Sequence, residues 1–393
     1  MDINRFRSNA PGRIVAISRG EHAFVPAPLP PEWEFPERLW PLLAEAKRQL
    51  GILEGIGRNV PNPAILLRPL EDREAIRSSR LEGTYATPKE LLLFELQPRE
   101  SKSEHDPNND QLEVFNYRRA LVHGTTTDLP ISLRLIRDLH RILMTGVRGK
   151  DRTPGEFRRV QVAIGATHRF VPAPPEQLND CLDPLERYFH VTSSRYDPLV
   201  ECFLIHYQFE TIHPFMDGNG RVGRLLLALM LQQRCELSKP WLYMSEYYER
   251  FREDYVNGLF CVSADANWEG WIEFCLRGTI SQARDTIERC GRLLSIREKY
   301  MRQIADVGGN FRLNQIVDDI FHSPFVRVSE LPKRLNVTYP TAKADVDRLV
   351  GAGILRELPQ VSPKTFYAPE VFNVAYEKMN DDEPNSPADG DSQ

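Results

Sequence analysis

The sequence predicts a mainly α-helical protein carrying one small β-hairpin and a helix-turn-helix segment near its C-terminus. Three features predict it. Apolar residues recur at spacings of three and four along most of the 393 residues. Period-two alternation is confined to the stretch around Val160, Val162 and Ile164. Past Gly308-Gly309, two short apolar-periodic segments flank a turn and two short apolar strands follow.

The elements follow in order. Pro26, Pro28, Pro30, Pro31 and Pro36 forbid a helix in the first stretch, which is expected to wrap a surface. A helix is expected from about Glu37 to Leu50, with Leu42, Leu43, Ala46 and Leu50 on one face and Pro41 in the first turn, where proline is tolerated. Pro61-Asn62-Pro63 breaks the chain, and Pro69 to Leu81 reads as a second helix ending near Gly83. Residues 101–108 look like a flexible loop. Helix patterns follow at roughly 109–122 and 132–145, the second capped by Ser132 and lined by Leu135, Ile136, Leu139, Ile142 and Leu143. Residues 154–175 read as a short hairpin, Pro198 opens a further helix, and helices continue to about residue 305.

Beyond Gly308-Gly309, Leu313 to Phe321 is one apolar-periodic segment. Val328–Leu335 and Thr338–Val350 flank the turn Asn336-Val337, and Ile354-Leu355-Arg356 and Thr365-Phe366-Tyr367 suit the two strands of a wing. This arrangement resembles a winged helix. From Asn380 to Gln393 there are five acids and no large apolar residue, so this tail should be disordered.

Bulk properties exclude several classes. Hydrophobic content of 41% and charged content of 27% are ordinary for globular proteins. A net charge of −5 argues against general nucleic-acid binding by the whole chain. No apolar run is long enough to span a bilayer, and Met1-Asp2-Ile3-Asn4-Arg5 lacks the apolar core of a signal peptide, so a cytoplasmic protein is expected. The six cysteines are widely spaced with no C-x-x-C, which suits reduced thiols and not a zinc site.

The chemistry concentrates in residues 213–224, His-Pro-Phe-Met-Asp-Gly-Asn-Gly-Arg-Val-Gly-Arg. A histidine, a carboxylate, an Asn between glycines and two arginines precede an apolar helical run. Free backbone N–H groups at a helix start, with the helix dipole, form a natural phosphate site. Arg221 and Arg224 lie three apart on one helix face, and guanidinium forks match phosphate oxygens. Phe209, Ile212 and Phe215 are core by default, and His206 and Glu210, four apart, read as structural support.

These residues resemble the Fic family signature H-P-F-x-[DE]-G-N-[GK]-R-x-x-R, with His213, Pro214, Phe215, Asp217, Gly218, Asn219, Gly220, Arg221 and Arg224 all in place. The resemblance implies transfer of AMP from ATP to a Ser, Thr or Tyr hydroxyl of a target protein and of the enzyme itself. His213 would be the general base, since imidazole titrates near working pH. Asp217 would bind Mg²⁺, which takes one or two carboxylates beside phosphate oxygens. Gly218, Asn219, Gly220, Arg221, Val222, Gly223 and Arg224 would bind the ATP phosphates. Gly220, where the kinase-like Doc relative has lysine, fits the adenylyl-transferring branch.

Residues 78–83, Ser-Ser-Arg-Leu-Glu-Gly, resemble the family's inhibitory helix motif [ST]-x-x-x-E-[GN] through Ser78, Glu82 and Gly83. The resemblance implies that Glu82 pairs with Arg224 in cis and obstructs the γ-phosphate. Residues 153–175 resemble the family's flap, whose Val162, Ala163, Ile164 and Gly165 would pair with an extended target segment. Tyr247 and Arg250, three apart, are candidates to line an adenine pocket, core packing being the alternative.

The implied organisation is an N-terminal segment with the inhibitory helix (1–108), a Fic catalytic core (109–280), a connecting helix (281–307), a winged-helix domain (308–379) and an acidic tail (380–393). Other readings stay open. One is a transcription regulator acting through the winged helix; another is a Fic enzyme that removes AMP or transfers another phosphate-containing group. Residues 308–379 hold nine Lys and Arg against eight Asp and Glu, which favours protein contact or weak DNA binding over strong DNA reading. A homodimer is compatible with the sequence; a membrane partner is not expected.

Overall fold

A computed structural model describes residues 1–60, 62–98, 106, 108–147, 153–165, 168–192, 194–306, 308–359 and 361–379. The expected acidic tail and most of the loop at 101–108 lie outside the described residues.

A strand pair opens the chain, β1 (Gly12–Ala16) antiparallel to β2 (His22–Pro26), with Ile14 opposite Phe24. Helices α1 (Trp40–Asn59), α2 (Ala64–Leu81), α3 (Pro88–Leu96), α4 (Asn109–Thr126), α5 (Leu133–Leu143), α6 (Leu178–Phe189), α7 (Pro198–Ile212) and α8 (Asn219–Arg234) follow. Then come α9 (Ser245–Arg250), α10 (Arg252–Asp265), α11 (Trp268–Asp306) and α12 (Phe311–His322). Strand β3 (Phe325–Arg327), α13 (Leu331–Leu335), α14 (Tyr339–Gly351), β4 (Arg356–Glu357), β5 (Thr365–Tyr367) and α15 (Pro369–Ala375) complete the described chain. The fold is mainly helical, as the periodicity predicts.

These elements gather into two compact units, neither a single stretch of chain. One holds Met1–Asn59, Glu74–Tyr85 and Pro98–Thr286; the other holds Val60–Arg73, Ala86–Gln97 and Ile287–Gln393.

In the first unit, α7 and α8 pack together at the centre, with α4, α5, α6, α10 and β2 against them. α7 is apolar nearly all round and is therefore buried on every side. Its Phe203 and Phe209, with Phe215 beyond its end, are fully buried, each stabilising by about 2–3 kcal/mol. Caps set the ends where the sequence places them. Asp197 accepts from the Leu199 N–H at the start of α7, and Ser132 accepts from Leu135 at the start of α5.

Three expectations about the N-terminal part need correction. The first stretch does not merely wrap a surface. The Phe24 N–H donates to Val171 O at 2.8 Å, and Phe24 packs with Phe170 and Phe260. The run Ala23-Phe24-Val25 is a short buried strand, and the prolines only close its end. The first helix does not stop at Leu50 but runs to Asn59; Gly57 gives way to the Trp241 indole, which lies 2.3 Å from where a Cβ would sit. The second helix starts at Ala64, before Pro69, because Asn62 caps it through Oδ1 to the Ala64 N–H.

The second unit contains a three-stranded antiparallel sheet in the order β3-β5-β4, with Val326 opposite Phe366 and Glu357 opposite Phe366. The helix expected at Val328–Leu335 is shorter, since Pro332 holds its first turn and it begins only at Leu331; the wing strand expected at 354–356 is shifted to 356–357. Earlier segments of chain complete this unit. The Tyr376 hydroxyl donates to Asp72 at 2.7 Å, Arg73 donates to Glu377 O, and Arg327 donates to Leu96 O. Gly308-Gly309 is therefore not where the two units divide.

Candidate active site

The signature occupies the turn between α7 and α8. His213 caps α7 in the left-handed region at φ 52°, and Gly218 opens α8 at φ 74°. A non-glycine residue in that region is uncommon, and such residues cluster at active sites. Asn219 closes the turn: its Oδ1 accepts from the Phe215 N–H at 2.8 Å and its Nδ2 donates to Phe215 O at 2.9 Å. Its side chain thus shapes the loop and faces no open space. Phe215 stacks on His140 with ring centres 3.8 Å apart. His140 Nδ1 accepts from the Gly155 N–H, which leaves Nε2–H to donate to Asp217 O at 3.1 Å. Burial pushes His140 down to about 4, so it is neutral.

His213 Nδ1 lies 3.3 Å from Glu210 O, so this nitrogen carries the proton and Nε2 keeps its lone pair. Desolvation pushes the imidazole down to about 4, with the Arg158 charge acting in the same direction. The His213 imidazole is therefore uncharged at neutral pH.

The two arginines project from the first turns of α8, and each meets a carboxylate. Arg224 Nη2 donates to Glu82 Oε1 at 2.7 Å, its Nε to Ser78 Oγ at 2.8 Å, and Nη2 again to Ser78 O at 2.9 Å. The end of α2 thus lies against α8, as the 78–83 motif implies. Burial pushes the Glu82 carboxyl up, but the Arg224 guanidinium outweighs it and holds Glu82 below its usual range. Gly83 turns the chain at φ 84°, and Thr84 donates to Glu113 Oε2 at 2.7 Å. That same oxygen accepts from Arg221 Nη1 at 3.0 Å, a pair buried on both sides.

Not every residue of 218–224 faces the same way. A Cβ at Gly220 would stand 2.2 Å from Glu82 Oε1, so a small residue there admits the carboxylate. Val222 is fully buried in the core. A Cβ at Gly223 would stand 2.1 Å from Glu210 Oε1, and its carbonyl lies 3.2 Å from His206 Nδ1, so both serve α7–α8 packing. Glu210 is half-buried, its Oε1 is out of solvent without a hydrogen-bond partner, and desolvation raises its carboxyl to about 7.

Two observations fit a magnesium–nucleotide complex. Arg221 Nε is buried without an acceptor, which a phosphate oxygen would supply. Asp217 keeps 39% of its side chain exposed, with Oδ1 accepting from the Gly218 N–H at 2.7 Å. Among the described residues no group of three or more His, Cys, Asp or Glu could hold a metal ion by itself.

The flap is less regular than the alternation predicts. Among the described residues one antiparallel bridge joins Ile164 to Phe170, and no strand forms over 160–164. The returning arm is already occupied, since Phe24 bridges Pro172 in parallel. On the outgoing arm Val162 and Ile164 are partly exposed and Ala163 and Gly165 exposed.

Tyr247 packs between Phe251 and Phe274, with ring centres 4.8 and 5.0 Å away, and exposed Arg250 lies over Phe251. Arg77 of α2 pairs with Glu249 at 2.9 Å, which anchors α9 to α2.

Sequence reasoning missed Glu74, Glu113, His140 and Arg158. Glu74 is buried, accepts from the Tyr117 and Ser245 hydroxyls, and is raised to about 7 by burial. A signal was present for Glu113: it shares the buried face of α4 with Tyr117, Ala120 and Leu121, and a carboxylate on an apolar stripe asks for a partner. Nothing in the spacing marks Arg158.

Comparison with known proteins agrees with this geometry. Residues 40–126 match the Fic/DOC family N-terminal model, and residues 130–231 match the Fic/DOC family model. The chain is 38% identical over 129 residues to protein adenylyltransferase Fic of Drosophila virilis, covering 33% of this chain and 26% of that protein. Against the Drosophila yakuba protein the identity is 37%, with 33% and 25% covered. The match thus spans about a quarter of the length of these relatives. A Fic family protein from Desulfovibrio desulfuricans superposes with a TM-score of 0.55 at 20% identity, covering 86% of this chain and 98% of that one. Fic-1 (residues 134–508) of C. elegans gives 0.52 at 20% identity, covering 66% and 76%.

Proposed function

We propose that this chain, which carries a Fic/DOC domain over residues 130–231 behind a Fic/DOC N-terminal segment, is an autoinhibited protein adenylyltransferase. It moves AMP from ATP to a hydroxyl of a target protein and of itself. The observation that carries this reading is the Glu82–Arg224 ion pair beside His213, an occupied phosphate clamp next to an unprotonated base.

In the reaction, the target hydroxyl oxygen attacks the α-phosphorus, the bond to the β-phosphate oxygen breaks, and pyrophosphate leaves. The hydroxyl proton passes to His213 Nε2. Arg221, held by Glu113, and Arg224, once released by Glu82, hold phosphate oxygens. The α8 N-terminus adds its free N–H groups. Asp217 would hold the Mg²⁺ that neutralises the phosphates. The outgoing arm of the flap, at Val162 to Gly165, takes the target backbone as an added strand, and Tyr247 and Arg250 flank the adenine. ATP and a protein with an acceptor hydroxyl are the partners.

A second reading has one observation in its favour. Glu82 stays ionised beside the phosphate site, and an ionised carboxylate can orient water, so the same site supports removal of AMP. For residues 308–379, read as a winged helix, we favour protein contact over DNA. On α14 Lys343 pairs with Asp347 at 2.6 Å, and no basic stripe results.

The test is incubation of purified Glu82→Gly protein, in which the latch is released, with α-labelled ATP and Mg²⁺, followed by a gel shift with duplex DNA. Label on the protein supports the transferase; DNA binding without label overturns it. No helix among the described residues is long and apolar enough to cross a membrane.

A further inference from the structure

We propose that Arg158 is a positioning residue that rivets the flap to the catalytic turn, so that one buried guanidinium sets the distance between the docked target and His213. The inference rests on the adenylyl-transfer reading for its kinetic consequence, and on geometry alone for the rivet.

Arg158 is 3% exposed. Its Nε donates to His213 O at 2.9 Å and Nη2 donates to Ile212 O at 3.4 Å, both on the catalytic turn. Nη1 donates to Val160 O at 3.2 Å on the outgoing arm of the flap, and Nη2 donates to Ala173 O on the returning arm. The Arg158 backbone N–H adds a bond to Pro214 O at 2.9 Å. A single residue thus ties together both arms of the flap and, through its side chain and its backbone N–H, the carbonyls from Ile212 to Pro214.

The choice of arginine follows. Only a planar fork with five donors spans carbonyls in several directions at once. No carboxylate of the described residues lies within ion-pair distance of it, and burial pushes the guanidinium down to about 10. A buried charge without a counter-ion is unfavourable and persists when its hydrogen bonds hold something in place. Here they hold the His213 carbonyl, in a residue whose left-handed backbone is itself uncommon. The flap needs such a rivet because the Ile164–Phe170 bridge alone does not form a ladder.

The charged groups facing His213 are Glu82 just past the end of α2, Asp217 from the turn and Arg158 from the flap base; Glu210 of α7 faces it through its carbonyl. Arg158 and desolvation push the imidazole down, and the others push it up. Replacing Arg158 with an uncharged residue therefore moves His213 upward, whereas lysine leaves it in place.

The experiment uses full-length Glu82→Gly protein as parent and compares Arg158→Met and Arg158→Lys within it. Expected for both is a kcat for transfer to protein about 10–100-fold lower, from misplacement of the target, with KM for ATP within about threefold of the parent. The acid limb of the pH–rate profile moves to higher pH in Arg158→Met and not in Arg158→Lys. Amide exchange at Ile164 and Phe170 quickens about tenfold or more in both, while α7 and α8 stay protected. Parental kcat in folded Arg158→Met overturns the proposal; should that variant not fold, parental kcat in Arg158→Lys does the same. If the parent itself transfers no AMP, the adenylyl reading fails, and the exchange arm alone decides: unchanged exchange at Ile164 and Phe170 overturns the rivet, and quickened exchange with α7 and α8 still protected supports it.

Discussion

Replacing Glu82 with glycine should convert a resting protein into an active one, by an amount the geometry bounds. Arg224 Nη2 and Glu82 Oε1 are 2.7 Å apart, with the guanidinium side chain only 3% exposed. Unit charges centred about 4 Å apart in an effective dielectric of about 20 attract by about 4 kcal/mol. Glu82 keeps 37% of its side chain exposed, so solvent screening reduces the pair to about 2 kcal/mol. That bias is what ATP must overcome to claim the clamp, and at about 1.4 kcal/mol per tenfold it corresponds to about 30-fold. Glu82 follows the last residue of α2, so glycine there costs little helix stability. Arg224 also keeps its bonds to Ser78. Self-labelling from α-labelled ATP should therefore rise about 10–100-fold, with the melting temperature shifted by only a few degrees. Glu82→Gln, which keeps the shape and loses the charge, should rise less. Glu82→Gly with Arg224→Ala should fall back to the resting level. An unchanged rate in folded Glu82→Gly protein would refute the latch.

Other expectations follow from the same site. His213→Ala in the Glu82→Gly background should lower transfer about 10²–10⁴-fold while calorimetry still detects ATP binding; retained transfer removes His213 as base. Because burial depresses His213 to about 4, the base is competent above that pH, and the acid limb of the rate profile should break near 4 and not near 6.5; removing Glu82, which pushes His213 up, can only lower the break further. Asp217→Ala or EDTA should abolish transfer, and undiminished label in EDTA would leave Asp217 as a helix-end carboxylate. Truncation after Ile304 should give poorly soluble protein, contrary to a boundary at Gly308, because Ile65, Leu66, Leu70, Leu91 and Leu92 belong to the unit it dismantles and are all buried; a soluble, cooperatively melting fragment would show otherwise.

Much of this protein is local and was therefore legible in its sequence. The helices announce themselves by period and by caps such as Ser132, which acts within three residues. The turn from His213 to Gly218 is written in its glycines and in Asn219, whose bonds reach only to Phe215. The link between the 78–83 motif and Arg224 was implied only through likeness to a family, because the two segments lie 142 residues apart from Glu82 to Arg224. Tertiary structure alone decided the rest. It gave Glu113 to both Arg221 and Thr84, stacked Phe215 on His140, laid Phe24 along the flap and aimed Arg158 at the carbonyls around His213. It also drew Val60–Arg73 and Ala86–Gln97 into a unit with the C-terminal elements. A sequence period reports which face of an element is buried, but not which distant element buries it, and a buried polar group is read correctly only once its partner is known.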